Sequence, residues 1–152
     1  MLGFNFQKGR IRQVLLEKHD DAPICLWHGV IKIDPKLELP KLMERYRRDF
    51  SETIDHHKPD ILAVRQIWET RNANSAVFQV MPVGLLALVA YNKNVPLFRF
   101  SPQALVHAGP FGLPKKTKPQ DAVEDVLGAH PPNWDAQQRY AALVAWRALL
   151  DA

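Results

Sequence analysis

Cysteine is almost absent: Cys25 is the single one in 152 residues. An intramolecular disulfide is therefore excluded, as is a thiol cluster for zinc or iron-sulfur ligation, and a reducing, cytoplasmic setting is expected. Long apolar runs are missing too. The longest, "VMPVGLLALVAY", falls short of the roughly 20 residues that span a bilayer and reads as a buried helix, so no membrane partner is implied. The N-terminal "MLGFNFQKGR" lacks the basic, apolar, small-residue order of a secretory signal and reads as a strand of the fold. Acidic residues are scarce in one stretch: between Ile61 and Gln120 the basic residues are Arg65, Arg71, Lys93, Arg99, Lys115, Lys116 and Lys118, and the acid is Glu69 alone. With a net charge of +4, that asymmetry points toward a polyanionic partner more than the total charge does.

What is present is the composition of a globular protein, 47% hydrophobic and 24% charged, of a length that makes one domain over residues 1–152 the default. "LGFNF" and "IRQVLLEK" are short apolar-rich runs joined by "QKGR", where Gly9 can take the positive φ of a tight turn, which predicts a hairpin. "PICLWHGVIKI" continues as a third strand, with Ile24, Leu26, His28, Val30 and Lys32 on one face and Cys25, Trp27, Gly29, Ile31 and Ile33 on the other.

From Pro40 to His57, Leu42, Met43, Tyr46, Phe50 and Ile54 recur at helical spacing, the pattern of an amphipathic helix laid on a sheet. "DILAVRQI" is a short, almost uninterrupted apolar run of the kind buried on both faces. The next helix should start near Asn72 to Ser75, where side chains can accept from unbonded N–H groups, and Pro82 should kink it. "VPLFRF" predicts another strand and "SPQALVHAG" a helix capped by Ser101 and stopped by Gly109. "GPFGLPKKTK" reads as a loop, "PQDAVEDVLG" as a short helix, and "WDAQQRYAALVAWRALL" as a final amphipathic helix burying Trp134, Tyr140, Leu143, Val144 and Leu150. Three antiparallel strands followed by strand-helix units predict an α/β fold, a mixed sheet of the RNase H-like kind flanked by helices.

"PDILAVRQIWETRNANSA" together with "VPLFRFSPQALV" resembles the RuvC family of Holliday junction resolvases, in which a strand ending Glu-Gln-Val-Phe is followed by Asn-Ala-Asn-Ser-Ala opening a helix, a Pro-Val strand and a Ser-Pro helix. The likeness runs more faintly over the whole chain. "LGFNF" sits where the family has Leu-Gly-Ile-Asp-Pro-Gly, and "NWDAQQRYAALVAW" where it has Asp-Ala-Ala-Asp-Ala-Leu-Ala. The resemblance implies phosphodiester cleavage by two metal ions held by four carboxylates. Here those positions are Asn5, Arg65, Asp135 and Gln138, so one acid of four is kept. A guanidinium has only donors and a permanent charge, so Arg65 cannot ligate a cation but could pair with Asp135 and fill the place of one. The expectation is a pseudonuclease with no metal cofactor that binds or scaffolds nucleic acid, branched DNA above all. The alternatives are a protein-interaction subunit without DNA binding, and an active junction endonuclease with a rebuilt Mg²⁺ or Mn²⁺ site.

The same resemblance supplies binding candidates. Trp68 matches the family's aromatic three residues after the catalytic glutamate, a place for stacking on unpaired bases; packing under the following loop is the plainer reading. Arg71 could serve the same surface. Lys115, Lys116 and Lys118 lie on a loop where the family carries phosphate-approaching cations, although Val106 replaces a lysine expected nearby. The helix after "NANSA" contributes to the dimer interface in the family, which makes a homodimer an implied partner. His28 and the pair His56-His57 read as core or solvated histidines, and Asp20-Asp21 and Glu124-Asp125 as loop and helix-surface charges.

Overall fold

In the computed structural model residues 1–67, 70–129 and 134–152 are described. β1 (Leu2–Gln7) and β2 (Arg10–His19) form the expected hairpin, with Gly9 at φ 74° in its turn. So tight a turn sets the register: Gln7 faces Arg10, and counting back along the ladder Asn5 faces Arg12. β3 (Ala22–Lys32) pairs antiparallel with β2. β4 (Leu62–Arg65) runs parallel to β1 with Leu62, Ala63 and Val64 fully buried, as a strand covered on both sides must be. β5 (Leu97–Phe100) runs parallel to β4 and completes a five-stranded sheet of order β3-β2-β1-β4-β5.

α1 (Leu39–His57) packs Leu42, Tyr46, Phe50 and Ile54 with Phe4 and Phe6 on one face of the sheet. It ends at Lys58 in the left-handed conformation, just before Pro59. α4 (Pro119–Leu127) and α5 (Ala136–Asp151) join the core of the opposite face. α5 lies close on β1 because small residues meet there. A Cβ on Gly3 would stand 2.1 Å from the Ala141 carbonyl oxygen, and Ala141, Ala142, Ala145 and Ala148 are fully buried.

The structure departs from the sequence expectations in four places. Along β3, Leu15 pairs with Trp27 and Leu16 with Cys25, so Leu26 is an extra residue. This bulge reverses the facing of what precedes it: Trp27 and Ile31 pack on the α1 side and Cys25 on the α5 side, rather than all three together. Second, the helix after "NANSA" is two helices, α2 (Ala73–Gln79) and α3 (Met81–Asn92), with Val80 between them. Pro82 sits in the first turn of α3, where no intrahelical partner for an N–H exists, and so starts a helix instead of kinking one. Asn72 caps α2 as expected, its Oδ1 accepting from the Ser75 N–H at 2.9 Å. Third, the small apolar residues of α2 lengthen the helical stretch to 20 residues, 73–92, of mean hydropathy 1.7, long and apolar enough by those measures to cross a membrane, against the expectation of a run too short. Its Val83, Leu86, Val89 and Ala90 pack in the α1-side core, the behaviour of a helix packed on a sheet. Fourth, Ser101 and Pro102 open only a single 3₁₀ turn, Pro102–Leu105, and Gly109 begins another, Gly109–Phe111, rather than stopping a helix. In α5 Leu150 is exposed, unlike Leu143 and Val144.

Candidate functional site at the start of the last helix

Alternation along the strands puts Asn5, Arg12 and Arg65 on the α5 side of the sheet, at the ends of β1 and β4 and beside them on β2. α5 begins over this row. Asp135 is its N-cap, with Oδ1 accepting from the Gln138 N–H at 2.8 Å. Asn5, buried, donates from Nδ2 to Gln137 Oε1 at 2.7 Å and to the Gln137 carbonyl oxygen at 3.3 Å. Gln138, also buried, donates from Nε2 to the Gln13 carbonyl oxygen at 2.8 Å. Three of the four positions singled out in the sequence, Asn5, Asp135 and Gln138, thus meet at the first turn of α5, and Arg65 shares their face of the sheet.

The arginine that meets Asp135 is not Arg65. Arg12 Nη1 lies 2.8 Å from Asp135 Oδ2, with an Arg12 side chain only 11% exposed, and Arg12 Nε donates to Gln7 Oε1 at 3.2 Å. The hairpin register brings Arg12 beside Asn5 and under the start of α5. Arg65 instead lays its guanidinium over the Tyr140 ring, 3.9 Å from the centroid, more than a turn farther along the helix. Its Nε is buried with no hydrogen-bond partner among the described residues. Burial pulls the Arg65 guanidinium below its ordinary value, with Tyr140 opposing, yet arginine starts so high that it remains charged at neutral pH.

Oxygen ligands converging on one point are what a divalent cation needs, and the residues here do not fit one. Asn5 and Gln138 turn their NH₂ groups to neighbouring oxygens, and both Asp135 oxygens are engaged, one of them by a fixed positive charge. Among the described residues no group of three or more His, Cys, Asp or Glu could hold a metal ion. His57 stacks on Trp27 with ring centroids 4.2 Å apart, and His28 lies 5.5 Å from Trp134.

A second arginine missed in the sequence builds the wall of the site. Arg139 donates from Nε to the Trp134 carbonyl oxygen at 3.1 Å, from Nη1 to the Gln120 carbonyl oxygen at 2.7 Å, and from Nη2 to Glu124 Oε1 at 2.6 Å. Glu124 is therefore a structural partner rather than a surface charge. Gln120 Nε2 also reaches the carbonyl oxygen of Ala136, the first residue of α5, at 3.4 Å. α4 is tied in this way to the helix start, and Lys118, its N-cap, lies two residues from that tie. Lys115, Lys116 and Lys118 are all exposed on the preceding loop, with Lys116 at φ 71°. Arg71 is exposed just ahead of the α2 cap, and Trp68 lies outside the described residues. The signal for Arg12 was legible in the sequence, since a two-residue Lys8-Gly9 turn pairs position 5 with position 12. Arg139 has none, because two of its partners are backbone carbonyls and the third, Glu124, lies on another helix.

Solved structures share this architecture. Thermus thermophilus RuvC in complex with a Holliday junction substrate superposes with a TM-score of 0.79 at 16% identity, over 98% of this chain and 92% of that one. The yeast mitochondrial Holliday junction resolvase gives 0.72 at 14%, over 99% and 79%. At such identities the likeness shows the fold. Among curated relatives, the crossover junction endodeoxyribonucleases RuvC of Corynebacterium glutamicum and Thermotoga maritima are 26% and 25% identical over 125 and 103 residues. These alignments cover 79% and 67% of this chain but 57% and 61% of those proteins, so the chain spans about three fifths of their length. The Thermosipho melanesiensis protein of the same name is 23% identical over 96% of this chain and 94% of its own. The family model for the crossover junction endodeoxyribonuclease RuvC matches residues 13–133, a span that includes Arg65 and leaves Asn5, Asp135 and Gln138 beyond its two ends. With most of its length matched by that model and its sheet and helices in the same arrangement, the chain belongs to the RuvC family.

Proposed function

We propose that this protein binds branched DNA without cutting it, as a pseudonuclease of the RuvC family. The observation that carries the reading is the Arg12–Asp135 pair: the one acid kept among the four positions is held by a guanidinium at 2.8 Å. Asn5, Arg65 and Gln138 contribute no carboxylate, so the charge that would gather two cations is gone. Binding needs none of that charge. The exposed Lys115, Lys116 and Lys118 beside the start of α5 supply phosphate contacts, with Arg71 on the loop after β4, and Trp68 supplies a stacking surface. The test is a gel-shift titration of a four-way junction and a matched duplex in EDTA, followed by incubation of the junction with Mg²⁺ or Mn²⁺. A junction-selective shift with intact strands is expected. Cut strands would establish a rebuilt metal site, and no shift at low salt would favour a protein-interaction subunit.

A second copy of the chain is the partner that α3 favours. Met81, Gly84, Leu88 and Tyr91 recur at three- and four-residue spacing on its outer face, with Leu88 54% and Tyr91 80% exposed, opposite the buried Val83, Leu86 and Ala90. An apolar stripe on a helix whose other face is already packed is the geometry of a symmetric helix-helix interface. Sedimentation equilibrium should give a dimer that Leu88→Lys converts to a monomer of unchanged fold. A wild-type monomer at tens of micromolar would refute it.

A further inference from the structure

We propose that Arg65 is a phosphate ligand, its guanidinium taking a backbone phosphate of the bound nucleic acid where the family's centre would hold metal. The proposal rests on the DNA-binding reading and names the group that meets the strand at the altered centre.

Arg65 differs from the two arginines near it. Arg12 has Asp135 and Gln7, and Arg139 has Glu124 and two carbonyl oxygens. Arg65 has an aromatic face and no acceptor among the described residues, and its Nε is both buried and unbonded. A buried charged donor without a partner is costly, and no acceptor among the described residues competes with an incoming anion for the rest of the guanidinium. The Tyr140 ring centroid lies 3.9 Å from the guanidinium carbon. With Nε buried, the Nη donors are the ones left to meet an acceptor, and two such donors match two phosphate oxygens as a fork.

The local charge agrees. Arg12 and Arg65 against Asp135 amount to two positive charges and one negative, a net +1. A cage of four carboxylates repels a phosphate until cations are bound, whereas this cluster attracts one unaided. Placement agrees as well. Arg65 ends β4, next to the strand that carries Asn5 and beneath α5, the helix to which the Lys118 end of α4 is tied. If Arg65 only packs on Tyr140, an uncharged side chain should serve equally well for DNA binding.

The experiment compares wild type, Arg65→Gln and Arg65→Lys on a four-way junction across a salt series, then repeats it with junctions carrying a neutral methylphosphonate at single positions near the crossover. Thermal unfolding checks that each variant is folded. Arg65→Gln is expected to weaken binding by about tenfold or more, the weight of one charge-assisted contact, and to lower the slope of log K against log salt by about 0.9. Arg65→Lys should restore much of the slope and less of the affinity. One methylphosphonate position should weaken wild type by a similar factor and leave Arg65→Gln unchanged. Equal affinity and slope in a folded Arg65→Gln would overturn the phosphate role while leaving DNA binding in place. A wild-type protein that shifts no junction would overturn both.

Discussion

Replacing Asp135 by asparagine separates two jobs that one side chain performs. The Oδ1 atom caps α5 and the Oδ2 atom meets Arg12. Asparagine caps as well as aspartate, so Asp135→Asn keeps the cap and removes only the ion pair, whereas Asp135→Ala removes both. Asp135 is 52% exposed, which places the Coulomb gain of the pair at the upper end of the surface range, about 1 kcal/mol, and no higher. Arg12, at 11% exposure, then stands short of a partner, though Gln7 still accepts from its Nε. The loss for Asp135→Asn is therefore about 1–2 kcal/mol, and the cap adds ~1 kcal/mol more in Asp135→Ala. In a chain of this size each kcal/mol lowers Tm by about 2–4 °C. Urea titrations of wild type, Asp135→Asn, Arg12→Gln and the double variant yield the coupling energy directly, and it should shrink in 1 M salt as an exposed pair is screened. An Asp135→Asn protein as stable as wild type, with zero coupling, would refute the reading of the Arg12–Asp135 pair as a stabilising contact.

Gly3→Ala should destabilise by at least 1–3 kcal/mol, roughly the cost of overpacking, because its Cβ would stand 2.1 Å from the Ala141 carbonyl oxygen; thermal unfolding with Tm near wild type would contradict the close packing of α5 on β1. Burial pushes the Cys25 thiol up to about 11, so it stays protonated and unreactive at pH 8, and iodoacetamide labelling should be slow there, accelerate as pH rises toward that value, and be fast in urea. Labelling of the folded protein at the rate of a free peptide thiol would count against that burial. Arg139→Ala should speed amide exchange over Pro119–Leu127 more than over Leu39–His57, since two of its bonds, to Gln120 and Glu124, join α4 to α5; uniform protection in the variant would show that the arginine is not the tie. The combined variant Asn5→Asp, Arg65→Glu, Gln138→Asp should gain Mg²⁺-dependent thermal stability only when Arg12→Gln is added, because Arg12 holds Asp135. A Tm rise in Mg²⁺ with Arg12 retained would show that the pair yields to the ion.

The strands and the first helix were legible because each carries its own periodicity. The row Asn5, Arg65, Asp135, Gln138 was legible through the resemblance, and the structure gathers all four positions on one face. What escaped the sequence was pairing across segments. The β3 bulge turns on one residue, Leu26, with no change in composition, and Pro82 reads as a kink unless it is known that a second helix begins at Met81. Assigning Asp135 to Arg65 rather than Arg12 was the instructive error. Both arginines lie on the α5 side of the sheet, and the choice is made by α5, whose first turn stands over β2 while Tyr140, farther along, covers Arg65. A helix axis over a sheet is set by packing, here by Gly3 against Ala141, and no local pattern announces it.

The substitutions form one electrostatic solution rather than several independent losses. Four carboxylates at one point repel strongly when no cation is present; at an effective dielectric of 20, a single pair 4 Å apart costs about 4 kcal/mol. Without a bound cation such a cluster carries that penalty in full. Here Asn5 and Gln138 convert two of the positions to amides that bond Gln137 and the Gln13 backbone, and the remaining acid is matched by Arg12. Every one of those contacts ties the start of α5 to the hairpin. Such a set makes the junction of β1, β2 and α5 self-sufficient, so that the surface around it is held in shape with no ion bound. Arg65 is the member that this logic leaves over: its charge goes beyond what Asp135 can balance, and no hydrogen bond among the described residues uses its buried Nε. A structural replacement for a metal would need one cation matched to one anion, which Arg12 already provides. The second guanidinium lies beyond that balance, over Tyr140 past the first turn of α5, and a positive charge unmatched by an acid is what the proposed phosphate contact calls for.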